Sequence, residues 1–296
     1  MKKNSLLKKL EFEAISIIRD SFSKSLNPVM MYSVGKDSSV LLHLIRKAFY
    51  PSNVPFPLLH IDTKWKFKEM IKFRNYIKNK FKLNIITYTN KNGKELNPQT
   101  DKNYTDVMKT QALKDALDKY KFDIIYGGAR RDEEVSRSKE RIVSIRDRGH
   151  LWNPKNQKPE IWNLYNYEID KDQTLRVFPL SNWTELDIWN YIKQEKIEIV
   201  SLYYAKIRKC VRKKDIYFAI DDDRYKLTKD EKIIYETIRF RTLGCYPLTA
   251  GIKSKANTLS LVIDEILKEN NSERSGRLID SDKLNSMELK KREGYF

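Results

Sequence analysis

Cysteine, histidine and glycine are scarce in this chain, and each shortage excludes something. Only two cysteines, Cys210 and Cys245, stand in 296 residues. They make neither a disulfide framework nor a zinc cluster. Three histidines leave little room for a histidine-rich metal site. Asp221-Asp222-Asp223 has no further ligands at metal spacing and reads as a solvated turn. No apolar run reaches the roughly 18–20 residues of a membrane span. The basic start, Met1-Lys2-Lys3-Asn4, is not followed by an apolar stretch of signal-peptide length, so a cytoplasmic chain is expected. Internal repeats and low-complexity tracts are missing too. Hydrophobic residues at 40% and aromatics at 11% exclude wholesale disorder.

Charge of one sign is abundant. Lys and Arg number 58 against 40 Asp and Glu, a net +18. The excess suits an anionic partner such as a nucleotide, nucleic acid, membrane surface or inorganic anion. It equally suits a composition in which lysine fills any tolerant site, so position must decide.

The first half alternates strand-length apolar runs with helical patterns. A helix over 6–24 places Leu7, Leu10, Ala14, Ile17 and Ile18 on one face. Strands follow at 29–32, 57–62, 85–88 and 122–126. Helices intervene at 38–49, from Thr63 through Phe67, Met70, Ile71, Ile77 and Phe81, and at 107–120. Such alternation predicts an α/β fold of Rossmann-like type, a parallel sheet covered on both faces. Ligands of such sheets sit beyond the carboxyl ends of the strands. Residues 129–174 lose periodicity and gain charge. A strand at 175–178 follows, then a helix opened by a capping box, Thr184 with Asp187. Beyond residue 200 the reading is a C-terminal region, 201–296, partly helical. One helix follows a second capping pattern at Thr228-Lys229-Asp230-Glu231. Another carries Leu259, Val262, Ile263, Ile266 and Leu267. The last 25 or so residues lack an apolar face and read as a tail for partner contact. Trp152, Trp162, Trp183 and Trp189 are expected in the core or an interface.

The strongest chemical signal is Ser33-Val34-Gly35-Lys36-Asp37-Ser38, between a strand and a helix. Gly35 lets the backbone turn and approach a ligand. N–H groups at the following helix start favour phosphate. Ser33 and Ser38 offer hydroxyls, Lys36 adds charge, and Asp37 suits the first helical turn. The earlier glycine and the hydroxyl after lysine that a Walker A loop requires are missing. Asp62 follows the second strand and either faces a nucleotide or caps the next helix. Gly127-Gly128 ends the fourth strand, where paired glycines in a glycine-poor chain suggest either a close backbone approach to a ligand or a tight turn. Seven cations crowd into the next 19 residues. Arg130 and Arg131 sit at the ligand end of the sheet, and their planar forks fit tetrahedral oxyanions. Arg137 and Arg141 are further anion candidates. Arg239 and Arg241, two apart before Gly244-Cys245, could face one anion or lie on the surface. Cys245 itself reads as packing.

The loop at 33–38 resembles that of the PP-loop ATP-pyrophosphatase superfamily. The segments 27–32, 42–44, 55–63, 127–134, 178–185, 239–245 and 286–292 are similar to the small-subunit family of bacterial heterodimeric sulfate adenylyltransferases. This resemblance implies a PP-loop nucleotide-binding domain over 1–200, with ATP as substrate and Mg²⁺ arriving with it. It places ATP at Ser33, Gly35, Lys36, Asp37, Ser38, Asp62, Gly127 and Gly128. Lys36, Arg130 and Arg131 take the catalytic roles, and sulfate falls to Arg130, Arg131, Arg137, Arg141, Arg239 or Arg241. The implied reaction is transfer of adenylate from ATP to sulfate, giving adenosine 5′-phosphosulfate and pyrophosphate. The implied partner is a GTPase large subunit, with no nucleic acid or membrane. Rival readings are a phosphoadenylylsulfate reductase-like enzyme, an RNA-binding PP-loop protein and a scaffold without activity. Three departures stand out, one of them Lys209-Cys210-Val211 in place of the family's Arg-Pro-Val. Lys64 occupies a position where the family usually has glycine, and the loop at 97–104 is short.

Overall fold

The computed structural model describes residues 2–214, 216–268 and 292. The chain opens with α1 (Lys2–Ser23), β1 (Val29–Met31) and α2 (Lys36–Phe49). Next come β2 (Leu58–Ile61), α3 (Lys68–Lys80), β3 (Ile85–Tyr88), α4 (Ala112–Tyr120) and β4 (Ile124–Tyr126). The stretch after β4 holds a short α5 (Val135–Ser138) and β5 (Val143–Arg146), and is followed by β6 (Thr174–Val177) and α6 (Glu185–Glu195). The C-terminal part contains β7 (Lys206–Lys213), β8 (Ile216–Ala219), β9 (Ile233–Arg239), β10 (Ala250–Lys253) and α7 (Leu259–Lys268). The expected tail beyond about residue 270, and the segment 286–292 apart from Arg292, lie outside the described residues.

The main sheet runs in the order β3-β2-β1-β4-β6-β5. Neighbours pair in parallel except β5, which joins β6 antiparallel at the edge. Parallel strands buried on both faces read as continuous apolar runs, and successive side chains feed opposite layers. Met30, Leu58 and Ile124 enter the large core with α1, α2 and α6. Val29, Leu59 and Ile125 enter a smaller core with Leu113, Ala116 and Leu117 of α4. The strand order reverses between β1 and β4. That switch point is where such sheets open a crevice.

Three findings differ from the sequence reading. The expected irregular run 129–174 contains β5, which adds an antiparallel edge to the parallel sheet. No helix follows Thr228. Thr228 N–H and Glu231 N–H bond reciprocally to Glu231 Oε2 and Thr228 O, at 3.0 and 3.1 Å, and close a turn. The β-branched run Ile233-Ile234-Tyr235-Glu236-Thr237-Ile238 then continues as β9, because these residues fit a strand better than a helix. The C-terminal part is accordingly a closed barrel, β10-β8-β7-β9, with α7 as its helix. Cys210, Phe218 and Ile238 of its strands, and Phe240 just after β9, belong to the large core. Trp152, Trp183 and Trp189 are buried, whereas Trp162 is 88% exposed.

Candidate active site

A cavity of about 260 Å³ opens at the switch point. One end is built by the turn from β1 to α2, with Ser33, Gly35, Lys36, Asp37 and Ser38 in its wall. The opposite wall, after β4, contributes Gly128, Ala129, Glu133 and Arg137. Met31, Leu59, Ile61 and Leu113 give an apolar side, and Lys66 and Lys109 a basic one.

The turn is shaped by Val34 rather than Gly35. Val34 has φ +68, a left-handed conformation that is rare for a β-branched residue. Gly35 has ordinary extended angles, φ −75 and ψ 166. Its hydrogen side chain matters for space: a Cβ would meet Ser33 Oγ at 3.3 Å and Tyr203 Oη at 3.4 Å. Ser33 Oγ donates to Ser38 Oγ at 3.2 Å, and Ser38 Oγ also bonds Gly35 O at 2.9 Å. The loop is pinned from the far side, where Lys36 N–H donates to the Tyr203 hydroxyl at 2.8 Å. Helix α2 starts at this point, so the positive end of its dipole faces the cavity.

Asp37 is an electrostatic junction. It accepts from Arg130 Nε at 2.7 Å on Oδ1 and from Lys36 Nζ at 3.3 Å on Oδ2. Arg130 is fully buried and also reaches Asp132 Oδ2 at 3.3 Å. That carboxylate in turn accepts Glu185 N–H at 2.9 Å. At Gly127-Gly128 the close contact that the structure shows is with protein, between Gly128 and α2. A Cβ on Gly128 would lie 3.1 Å from the Asp37 carbonyl carbon. Gly127 stays in the sheet, its N–H bonded to Val177 O.

The other expected residues separate. Arg137 lines the cavity, held by Glu134 and Glu140, each at 3.4 Å. Arg131 reaches Asn182 at 2.7 Å and Glu160 at 3.4 Å, outside the cavity lining. Arg141 is exposed. Arg239 and Arg241 do not converge: Arg239 pairs with Glu265 at 2.7 Å and Arg241 with Glu185 at 2.8 Å. Asp62 spends its Oδ1 on the Lys64 N–H at 2.8 Å, which holds the turn after β2. Asp221-Asp222-Asp223 is more ordered than a solvated turn. Asp221 accepts from Lys68 N–H, and Asp222 from Tyr246 Oη and Arg224. Among the described residues no group of three or more His, Cys, Asp and Glu could hold a metal ion. No helix among them is long and apolar enough to cross a membrane.

Lys66, Lys109 and Tyr203 escaped the sequence reading. Lys66 follows β2, so the strand-end rule that found Asp62 could have found it. Lys109 sits in a π-helical turn (Asp106–Gln111) leading into α4, which no periodicity announces. Behind this wall Cys245 is 1% exposed, with Thr63 Oγ1 at 3.2 Å and Tyr104 Oη at 3.4 Å from its sulfur. Burial pushes its thiol up, but Lys109, Lys66 and the two hydroxyls outweigh that and hold it below its ordinary value. His60, hydrogen-bonded through Nδ1 to Tyr32 O at 2.8 Å, is pulled down to about 3, chiefly by burial and then by Lys66.

A turn leading into a helix N-terminus at the switch point of a doubly wound sheet, beside a basic cavity, is the arrangement of nucleotide-binding α/β proteins of the PP-loop class. The family model described as phosphoadenosine phosphosulfate reductase domain matches residues 27–251. A Vibrio cholerae protein named sulfate adenylyltransferase subunit 2 is 57% identical over 294 residues, 98% of this chain and 97% of its own length. The relative of that name from Psychromonas ingrahamii is 56% identical and covers both chains fully. Among solved structures, the phosphoadenylyl-sulfate reductase of Candida auris aligns at a TM-score of 0.48 and 16% identity, over 68% of this chain and 88% of its own. The chain belongs to the sulfate adenylyltransferase subunit 2 family, within the phosphoadenosine phosphosulfate reductase domain family.

Proposed function

We propose that this chain transfers the adenylyl group of ATP to sulfate, giving adenosine 5′-phosphosulfate and pyrophosphate. The observation that carries the reading is the cavity at the switch point, which joins an apolar slot, a phosphate loop and separate cations. The name shared by relatives of 56–57% identity supports the same reaction. Leu59, Ile61 and Leu113 suit the adenine ring, and the loop at 33–38 suits the β- and γ-phosphates. A sulfate oxygen attacks the α-phosphorus in line. The bond from that phosphorus to the α–β bridging oxygen breaks, and pyrophosphate leaves with its electrons. No side chain becomes covalently attached, so rate comes from positioning and charge stabilisation. Lys36 neutralises the leaving pyrophosphate. Arg130 acts through Asp37 and keeps the loop in place, while Arg137 faces the second anion. Arg131, Arg141, Arg239 and Arg241 serve the surrounding structure. Mg²⁺ enters as part of the ATP substrate.

Making a phosphosulfate anhydride is uphill, so the reaction needs a driving partner. A large subunit that hydrolyses GTP is that partner in this reading, and the word subunit in the relatives' name is in keeping with it. A reductase-like mechanism is disfavoured, because it needs an accessible redox cysteine and Cys245 is buried. The test supplies the chain, purified with its large subunit, with ATP, Mg²⁺, GTP and [³⁵S]sulfate. Labelled adenosine 5′-phosphosulfate is expected. ATP binding without any labelled nucleotide would contradict the proposal.

A further inference from the structure

Beside the cavity, on the β5 edge of the sheet, lies a cluster of charge that ATP chemistry leaves unexplained. Arg137, Arg146 and Arg176 are all buried, and Glu140 stands buried among them. Glu140 Oε2 lies 3.4 Å from Arg137 Nη1, and its Oε1 accepts from Arg146 Nη2. Arg146, the last residue of β5, also donates from Nη1 to Ser144 Oγ at 2.6 Å. Arg176 comes from β6, paired in register with Ser144. Burial, and after it the charge of Arg146, pull its guanidinium below the ordinary value. With Glu134 included, three guanidiniums face two carboxylates. Of these five residues only Arg137 lines the cavity.

Arg137 sits on a four-residue helix in a largely irregular stretch. A guanidinium there would sample several rotamers unless something fixed it, and ordering it on binding would weaken binding. Glu134 and Glu140 both reach it, and Glu140 ties it to the sheet, because its other oxygen is anchored on a strand through Arg146. We propose that Glu140 is a positioning residue, fixing the Arg137 fork at the cavity wall as the receptor for the tetrahedral dianion, sulfate, that meets ATP. The neighbouring Arg146 and Arg176 add a preorganised positive field at that wall. The identity of the anion rests on the adenylyl-transfer reading.

The experiment uses the full chain with its large subunit and measures ATP affinity without sulfate, then kcat and the KM for sulfate. Glu140→Gln is expected to raise the KM for sulfate tenfold or more, with ATP affinity within twofold of the parent. Glu140→Asp should recover most of that loss. Arg137→Lys, which keeps charge and loses the fork, should match Glu140→Gln, and the double variant should be little worse than either. A folded Glu140→Gln protein with an unchanged KM for sulfate, or one that loses ATP and sulfate affinity in equal measure, overturns the proposal. If Glu140→Gln does not fold, Arg137→Lys and Glu140→Asp decide by the same criteria. If the parent binds ATP but turns nothing over, the function reading fails. Calorimetric titration of sulfate into the ATP-loaded proteins then tests the positioning claim, and equal or absent sulfate binding in parent and variant contradicts it.

Discussion

Lys64 shows how one residue departs from its backbone's preference. Its φ of +65 lies in the left-handed region, where a side chain costs about 1–2 kcal/mol. The turn survives because Asp62 Oδ1 accepts its N–H at 2.8 Å and its carbonyl accepts from Arg224 Nη1, also at 2.8 Å. Lys64→Gly relieves the strain but adds freedom to the unfolded chain, leaving a net gain of roughly 0.5–1 kcal/mol. Thermal denaturation should show a midpoint higher by a degree or two, and a lower one would refute the strain argument. Asp37 is the opposite case. Asp37→Asn removes the carboxylate that lies 2.7 Å from the buried Arg130 Nε, while Asp132 at 3.3 Å stays in place. The expected loss is about 2–4 kcal/mol in chemical denaturation, since an undercompensated buried charge is expensive. A loss below about 0.5 kcal/mol would mean that the pair is incidental to stability.

Helix α6 links the C-terminal elements to the loop at 33–38. Its capping box is complete: Thr184 Oγ1 accepts Asp187 N–H and Asp187 Oδ2 accepts Thr184 N–H. The helix presents Glu185 to Arg241 and Trp189 edge-on to Tyr203, with ring centres 5.5 Å apart. The Tyr203 hydroxyl is the group that holds Lys36 N–H. Thr184→Ala should cost about 1 kcal/mol in denaturant unfolding, and a neutral result would place the helix start elsewhere. This element was legible in advance because a cap followed by helical periodicity is a local signal. So were β1 to β4 and β6, whose apolar runs need no partner to be recognised. The barrel was not. In β7 the run Lys-Ile-Arg-Lys-Cys-Val-Arg-Lys alternates poorly, since the strand's exposed face also carries Ile207. The turn at 228–231 has the polar pattern of a helix start, and only the β-branched run after it favours a strand. Of the candidate site, the loop residues Ser33, Gly35, Lys36, Asp37 and Ser38 line one cavity as their place after β1 suggested, whereas Arg130, Arg131, Asp62 and Gly127, chosen by the same strand-end rule, do not line it, and Arg137 from the charged run does. Lys109 depends on a π-turn and Tyr203 on tertiary packing, and neither leaves a local trace.

All three histidines of the molecule are held below their ordinary pKa, each chiefly by burial. The unfolded chain, with histidines near 6.5, therefore binds protons that the folded chain refuses. Stability is at its fullest above about pH 6.5 and falls as pH drops from there toward the folded value, about 3 for His60. His60 alone accounts for about 1.4 kcal/mol lost at pH 5.5. Denaturant unfolding across pH 5–8 should show this decline, and His60→Gln should flatten it. A profile level down to pH 5 would contradict the burial of neutral imidazoles. The most direct test of the whole account is sulfate-dependent exchange of labelled pyrophosphate into ATP. It would use the chain joined to its large subunit in the presence of GTP, with Lys36→Met measured beside it. The account predicts exchange that requires sulfate and falls at least a hundredfold in a Lys36→Met protein that still melts cooperatively. Exchange that ignores sulfate, or that survives the loss of Lys36, would contradict adenylyl transfer at this loop.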